Sequence, residues 1–236
     1  MPAVGGVYGM FAAVNRLYLI FASVKIMKSG ELSRFTVFLR ERLSGQLPGK
    51  EAHMKMVPGS REKEFIAGRE VRKSAAMLLL YPKEGAVYTV LIRRPLYGGH
   101  HSGQISLPGG KPDPADADLW QTALRETREE TGWPPEGIEL IGALSELYIP
   151  PSQFLLSPFL AFSAETPAFS PDPKEVDRLI EADIEGFATN LILEKDIPLF
   201  DGRLVRMPYF DIQGEVVWGA TGMIMSEFAV LKEAFN

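Results

Sequence analysis

The stretch 109–133, GGKPDPADADLWQTALRETREETGW, decides how the rest of the chain is read. It places Glu126, Glu129 and Glu130 at spacings of three and four. On a helix turning about 100° per residue, these project within roughly one 100° sector. Trp120, Ala123, Leu124, Thr127 and Thr131 fall in a second sector, the stripe expected to pack on a core. Three carboxylates on one face repel one another unless a cation sits among them, and clustered oxygen donors are what Mg²⁺ or Mn²⁺ takes. A solvated acidic face is the commoner use of such a pattern, but two neighbours favour a ligand site. Pro108-Gly109-Gly110 enters the segment as an expected loop whose backbone can approach a ligand closely. Arg125 precedes Glu129 by four residues, within reach of its carboxylate.

The run Gly110 … Arg125-Glu126-Thr127-Arg128-Glu129-Glu130-Thr131-Gly132-Trp133 resembles the Nudix box, the signature of hydrolases acting on nucleoside diphosphates linked to another group. Its REx2EExG half matches fully. In the first half the acid is Asp116, one residue further from Arg125 than usual, a spacing similar to the coenzyme A pyrophosphatase branch. Residues 90–110, VLIRRPLYGGHHSGQISLPGG, are similar to the motif that accompanies the box in that branch. Arg94, Gly103 and Pro108-Gly109-Gly110 fall on motif positions, whereas Gly99, Ile92 and Leu107 stand where the motif has arginine, threonine and phenylalanine. A lost guanidinium matters for bidentate phosphate recognition, and Arg93, Lys111, His100 and His101 are the nearby groups able to replace it.

The resemblance implies a Nudix-type α/β/α sandwich with a mixed β-sheet over residues 70–236, and residues 1–69 as an N-terminal helical extension. It implies Mg²⁺ or Mn²⁺ held by Glu126, Glu129 and Glu130, with a carbonyl of the Gly109-Gly110 loop as a further ligand. Glu129, Glu130 and Arg125 carry the catalytic roles: Glu129 or a downstream glutamate as proton acceptor, and Arg125 orienting the carboxylates. Arg94, Gly103, Gly109, Gly110 and Lys111 are the expected substrate contacts, and Glu146 and Glu175 are two further carboxylates able to approach. The implied reaction is cleavage of coenzyme A or its acyl derivatives to 3′,5′-ADP and 4′-phosphopantetheine. ADP-ribose or a dinucleotide is the alternative substrate, favoured by Gly99. A nucleotide-sensing module without catalysis is the alternative outside enzymes, and the intact glutamate set argues against it.

Composition sets outer limits. With 236 residues, 46% hydrophobic and 23% charged, the chain is of ordinary globular type. A net charge of −5 argues against a nucleic-acid binder and leaves a small nucleotide as the expected partner. There is no cysteine, so neither disulfides nor thiolate metal sites form, which fits a reducing cytoplasm. The apolar run 17–24 is too short to span a bilayer, and Arg16 with no A-x-A site argues against a secretory signal. No membrane partner is expected, residues 1–27 read as an extension, and a homodimer is left open.

Working outward, residues 31–43 carry Leu32, Phe35, Phe38, Leu39 and Leu43 at helical spacing. The following EAHMKMVPGSRE reads as irregular, with His53 at the surface or in a cap. AAMLLLYP and AVYTVLIRRP form a hairpin about Lys83-Glu84-Gly85, and residues 138–147 and 154–163 read as strands. SPDPKEVDRLIEADIEGFA reads as a turn, a short strand near Val176 and a helix. RLVRMPYFDI and EVVWG form a hairpin about Gln213-Gly214, and residues 220–235 a helix packing through Met223, Ile224, Phe228 and Leu231.

Overall fold

The computed structural model describes residues 29–58, 71–96, 102–134, 136–150, 152–199 and 202–235. The expectations for residues 1–27 and for Gly99, His100 and His101 lie outside them.

Strand β1 (Arg72–Lys83) is apolar on both faces. Ala76, Leu78 and Leu80 enter one core cluster, and Ala75, Met77, Leu79 and Tyr81 enter the other. A strand with no polar face must be covered on both sides, at about 1.5–3 kcal/mol of stabilisation for each large aliphatic chain fully buried. Around it lies a mixed sheet. β2 (Ala86–Arg93) pairs antiparallel with β1, while β7 (Phe154–Ser163) runs parallel to it along nine registered pairs from Arg72↔Phe154 to Leu80↔Phe162. β3 (Ile105–Ser106) pairs with β2, β5 (Ile138–Ala143) and β6 (Leu147–Ile149) share β7, and β8 (Arg178–Asp183) takes the other edge of β2. A separate antiparallel sheet holds β9 (Leu193–Pro198), β10 (Leu204–Ile212) and β11 (Glu215–Val217).

Helix α3 (Leu119–Thr131) covers the Ala75/Met77 face, and α4 (Gly219–Glu233) the Leu78/Leu80 face. The result is the α/β/α sandwich expected. α1 (Ser29–Leu43) joins the second layer: Phe35 and Leu39 are fully buried, and Phe35 and Phe38 pack tilted against Phe235 at 5.0 and 5.3 Å between ring centroids. Among the described residues no helix is long and apolar enough to cross a membrane.

Both hairpins form as read, with two-residue turns at Glu84-Gly85 and Gln213-Gly214 that take positive φ at both positions. Four local readings are corrected. Gly49–Met54 is a short helix, α2, and its His53 is buried, because Gly49 and His53 bond to Glu227 and Ser226 bonds to the Ala52 carbonyl. The helix expected after Val176 is strand β8 followed by two 3₁₀ turns; the free edge of β2 captures a segment in which Ile180, Ala182 and Ile184 alternate inward. Strand β9 has no counterpart in the sequence reading. The strand expected over 138–147 stops at Ala143, where the chain bends before β6.

Candidate active site

Helix α3 is fixed at both ends. Asp118 caps its start, accepting from the Gln121 amide at 2.8 Å. Gly132 ends it at φ 73°, where a Cβ would stand 2.1 Å from the Ser170 carbonyl oxygen. Ala123, Thr127 and Thr131 are buried, with both threonine hydroxyls donating to carbonyls one turn back at 2.7 and 2.6 Å. Trp120 meets Phe159, and Trp133 meets Tyr81 and Phe169, which locks the rotation of the helix. The glutamate face is thereby turned toward β4 (Gly109–Gly110).

The expected glycine loop is this strand. Gly109 and Gly110 pair with Ala76 and Ala75 of β1. The reason is contact with the protein itself: at Gly110 a Cβ would lie 2.4 Å from the Glu126 carboxyl carbon. The Gly109 amide donates to Glu130 Oε2 at 2.8 Å, and the Gly109 carbonyl accepts from Arg94 Nη2 at 3.3 Å. Arg94 Nη2 also faces Glu130 Oε1 at 3.8 Å, an ion pair too long for a hydrogen bond.

Arg125 is the hub. Its Nε and Nη2 fork onto Asp116 at 3.1 and 3.0 Å, its Nη1 reaches Glu126 at 3.0 Å and Glu129 at 2.9 Å, and Nη2 also donates to the Lys111 carbonyl at 2.9 Å. Asp116 in turn accepts from Thr122 and from the Asp113 amide, both at 2.9 Å. Helical spacing by itself placed Arg125 on Glu129, and the resemblance had it orienting the carboxylates; neither paired it with Asp116. Its bond to Asp116 crosses nine residues, and a turn in which the Asp116 amide donates to the Asp113 carbonyl at 2.9 Å holds that carboxylate in place.

The charges follow from these contacts. Arg125, the Asp113 amide and Thr122 hold the Asp116 carboxyl well below the usual range. Burial pushes Glu130 up to about 7 against the opposing effects of Arg94 and the Gly109 amide, with Glu126 and Glu175 pushing the same way as burial. Burial likewise raises Glu126, and Glu129 and Glu175 add to it. Glu175 is exposed and acts on both only through its charge. Among the described residues no three such side chains stand ready-gathered around one point, because Arg125 lies between Glu126 and Glu129. The donor set still fits a hard divalent cation. Glu126 and Glu130 are oxygen donors crowded at one backbone and short of compensating charge, and Glu129 is half-exposed and able to turn in.

The remaining candidates separate. Lys111 is exposed, its Nζ 5.7 Å from the Phe154 ring centroid. Arg93 pairs with Asp177 at 3.6 Å and with Glu215. Gly103 closes a turn at φ 65°, its amide donating to Pro95. Glu146 accepts from Ser157 at 2.7 Å. Ser157 opposes Ala75, which opposes Gly110, so two interstrand steps, about 10 Å, separate Ser157 from Gly110.

The family model for the NUDIX domain matches residues 71–191. An uncharacterized Nudix hydrolase NudL of Pectobacterium atrosepticum is 34% identical over 143 residues, 60% of this chain and 73% of that one. Nudix hydrolase 22, chloroplastic, of Arabidopsis thaliana is 28% identical over 228 residues, 92% of this chain and 73% of that one. A C. elegans Ap4A hydrolase binary complex aligns with TM-score 0.47 and 17% identity, over 70% of this chain and 99% of that one.

Proposed function

The chain belongs to the Nudix family and is a Nudix pyrophosphohydrolase, and from that premise we propose that its substrate is coenzyme A or an acyl-coenzyme A. The observation that carries the hydrolase chemistry is the Arg125 fork, which holds Asp116, Glu126 and Glu129 in one array beside the buried Glu130. Nudix hydrolases use divalent ions such as Mg²⁺ or Mn²⁺, and here Glu126, Glu129 and Glu130 are the residues assigned to hold one. Such an ion supplies charge neutralisation and Lewis acidity at the diphosphate.

The chain's own groups supply the rest. Arg125 keeps the carboxylates apart from one another's repulsion and oriented, without touching substrate. Glu129, the most exposed of the three glutamates, takes the proton from the attacking water. Water oxygen bonds to one phosphorus, the bridging P–O bond breaks, and 3′,5′-ADP and 4′-phosphopantetheine leave. Arg94, which reaches both Gly109 and Glu130, stands at the strand end where the substrate phosphates would lie. The coenzyme A assignment is supported by residues 90–110 and by the position of Asp116. Residues 70–236 are the proposed catalytic unit and residues 1–69 an extension, with α1 docked on α4 in support.

Turnover with coenzyme A, an acyl derivative, ADP-ribose and NADH, with and without Mg²⁺, tests the reading. Expected is Mg²⁺-dependent release of 3′,5′-ADP with higher kcat/KM on coenzyme A than on ADP-ribose. Faster cleavage of ADP-ribose overturns the substrate assignment and leaves the family untouched.

A further inference from the structure

Resting on the coenzyme A reading, we propose that Arg72, Lys111 and Phe154 form the subsite for a phosphomonoester on the nucleotide, the 3′-phosphate that distinguishes coenzyme A from its dephospho form. Four cationic positions compete for that role near the glycine-rich loop, and the described contacts separate them. Arg93 is bracketed by Asp177 and Glu215. Arg94 faces Glu130 and the Gly109 carbonyl. Lys111 has no such commitment, and Arg72, which nothing in the sequence singles out, joins it on one aromatic ring. The Arg72 guanidinium carbon stands 4.4 Å from the Phe154 centroid and Lys111 Nζ 5.7 Å from the same point.

Among the described residues neither cation has a carboxylate partner within ion-pair distance. Arg72 gives one N–H to the Ser152 carbonyl, which leaves the other guanidinium donors for a ligand. Two like charges drawn to one ring repel each other, and a phosphomonoester, with about −1.5 to −2 charge at pH 7, is the dianion that relieves this. A guanidinium and an ammonium together offer both a planar fork and a point charge to its oxygens.

The sheet register sets this pair toward the start of β1, three residues from Ala75 and so on the face of the strand opposite to the one α3 covers. Gly110, against which Glu126 rests, opposes Ala75, and Arg72 opposes Phe154. From Ala75 to Arg72 the strand rises about 10 Å, and Lys111 follows Gly110 directly in the chain. Across that interval the pair serves a ribose whose 5′-oxygen carries the diphosphate and whose 3′-oxygen carries the third phosphate.

Equilibrium binding of 3′,5′-ADP and 5′-AMP to the full chain tests this apart from turnover. The wild type is expected to bind 3′,5′-ADP at least about tenfold more tightly than 5′-AMP, and Arg72→Gln/Lys111→Gln to bring that ratio close to one. Arg72→Lys/Lys111→Arg should restore most of it. Both side chains are exposed, so charge removal leaves the core intact. No preference in the wild type, or a preference that survives in the double glutamine variant, overturns the subsite. Coenzyme A and dephospho-coenzyme A are assayed in parallel. If neither is cleaved while the nucleotide ratio behaves as expected, the coenzyme A reading fails and the subsite stands. If coenzyme A is cleaved and the ratio ignores the charges, the subsite fails and the reading stands.

Discussion

Two buried glutamates on opposite faces of the sheet have the same side chain and opposite fates. Glu130 on α3 is 4% exposed and Glu227 on α4 is 0% exposed. Glu227 accepts from the Gly49 amide at 3.0 Å, the Ser145 amide at 3.2 Å and the Ser145 hydroxyl at 2.7 Å, and lies 3.0 Å from His53 Nε2. Glu130 has one amide at 2.8 Å and an arginine at 3.8 Å. Burial pushes both carboxyls up. At Glu227 the bonds from His53, Ser145 and Gly49 reverse that and hold it below the usual range, whereas Glu130 ends at about 7. A buried carboxylate fully supplied with donors is part of the scaffold. One left short of them, beside two other carboxylates, is a place where a cation belongs.

The contrast breaks first at Glu227. Replacing it with alanine strands the donors of Gly49, Ser145 and His53 together and separates α2 from α4. The expected loss is about 3–5 kcal/mol of unfolding free energy, read from urea denaturation. A loss below about 1 kcal/mol would remove Glu227 from the scaffold role.

Glu130→Gln should do the reverse. We expect kcat to fall at least about a hundredfold, near 2.7 kcal/mol in barrier, with the urea midpoint close to wild type at pH 4.5, where Glu130 holds its proton. Near-normal turnover in saturating Mg²⁺ removes this glutamate from the metal site.

The smallest effect sharpens the comparison through pH. The folded state holds the Glu130 proton more tightly than the unfolded chain, so its contribution is whole below pH 4.5 and is lost as pH rises to about 7. Glu227, with its lowered value, contributes above its unfolded value and loses that as pH falls. In metal-free buffer, the stability of wild type minus that of Glu130→Gln should therefore decline between pH 4.5 and 7, by on the order of 2 kcal/mol. Mg²⁺ should oppose the decline. A difference that is flat across this range would mean that Glu130 is not desolvated in the folded protein.

Much of the candidate site was legible because its signals are local. The glutamate spacing, the helix-ending Gly132 and the two hairpin turns each depend on residues within a few positions of one another. Local pattern misled where an edge or a partner overrode it. The segment about Ile180 reads nearly as well at helical as at alternating spacing, and only the open edge of β2 selects the strand. His53 gives no local sign of burial, since its partner lies 174 residues away.

By itself, then, the sequence determined which residues carry charge in the Nudix box, that β1 must be covered on both faces, and that the glutamates share one side of a helix. These are consequences of side-chain chemistry and backbone period. Tertiary structure decided how each charge is spent. Arg125 serves Asp116 as well as the glutamates, Gly110 yields its side-chain space to Glu126, Arg93 turns to Asp177 and Glu215, and Arg72 meets Lys111 over Phe154. Those outcomes depend on strand register and on distances between residues far apart in the chain, and a carboxylate's environment is a property of what surrounds it in space.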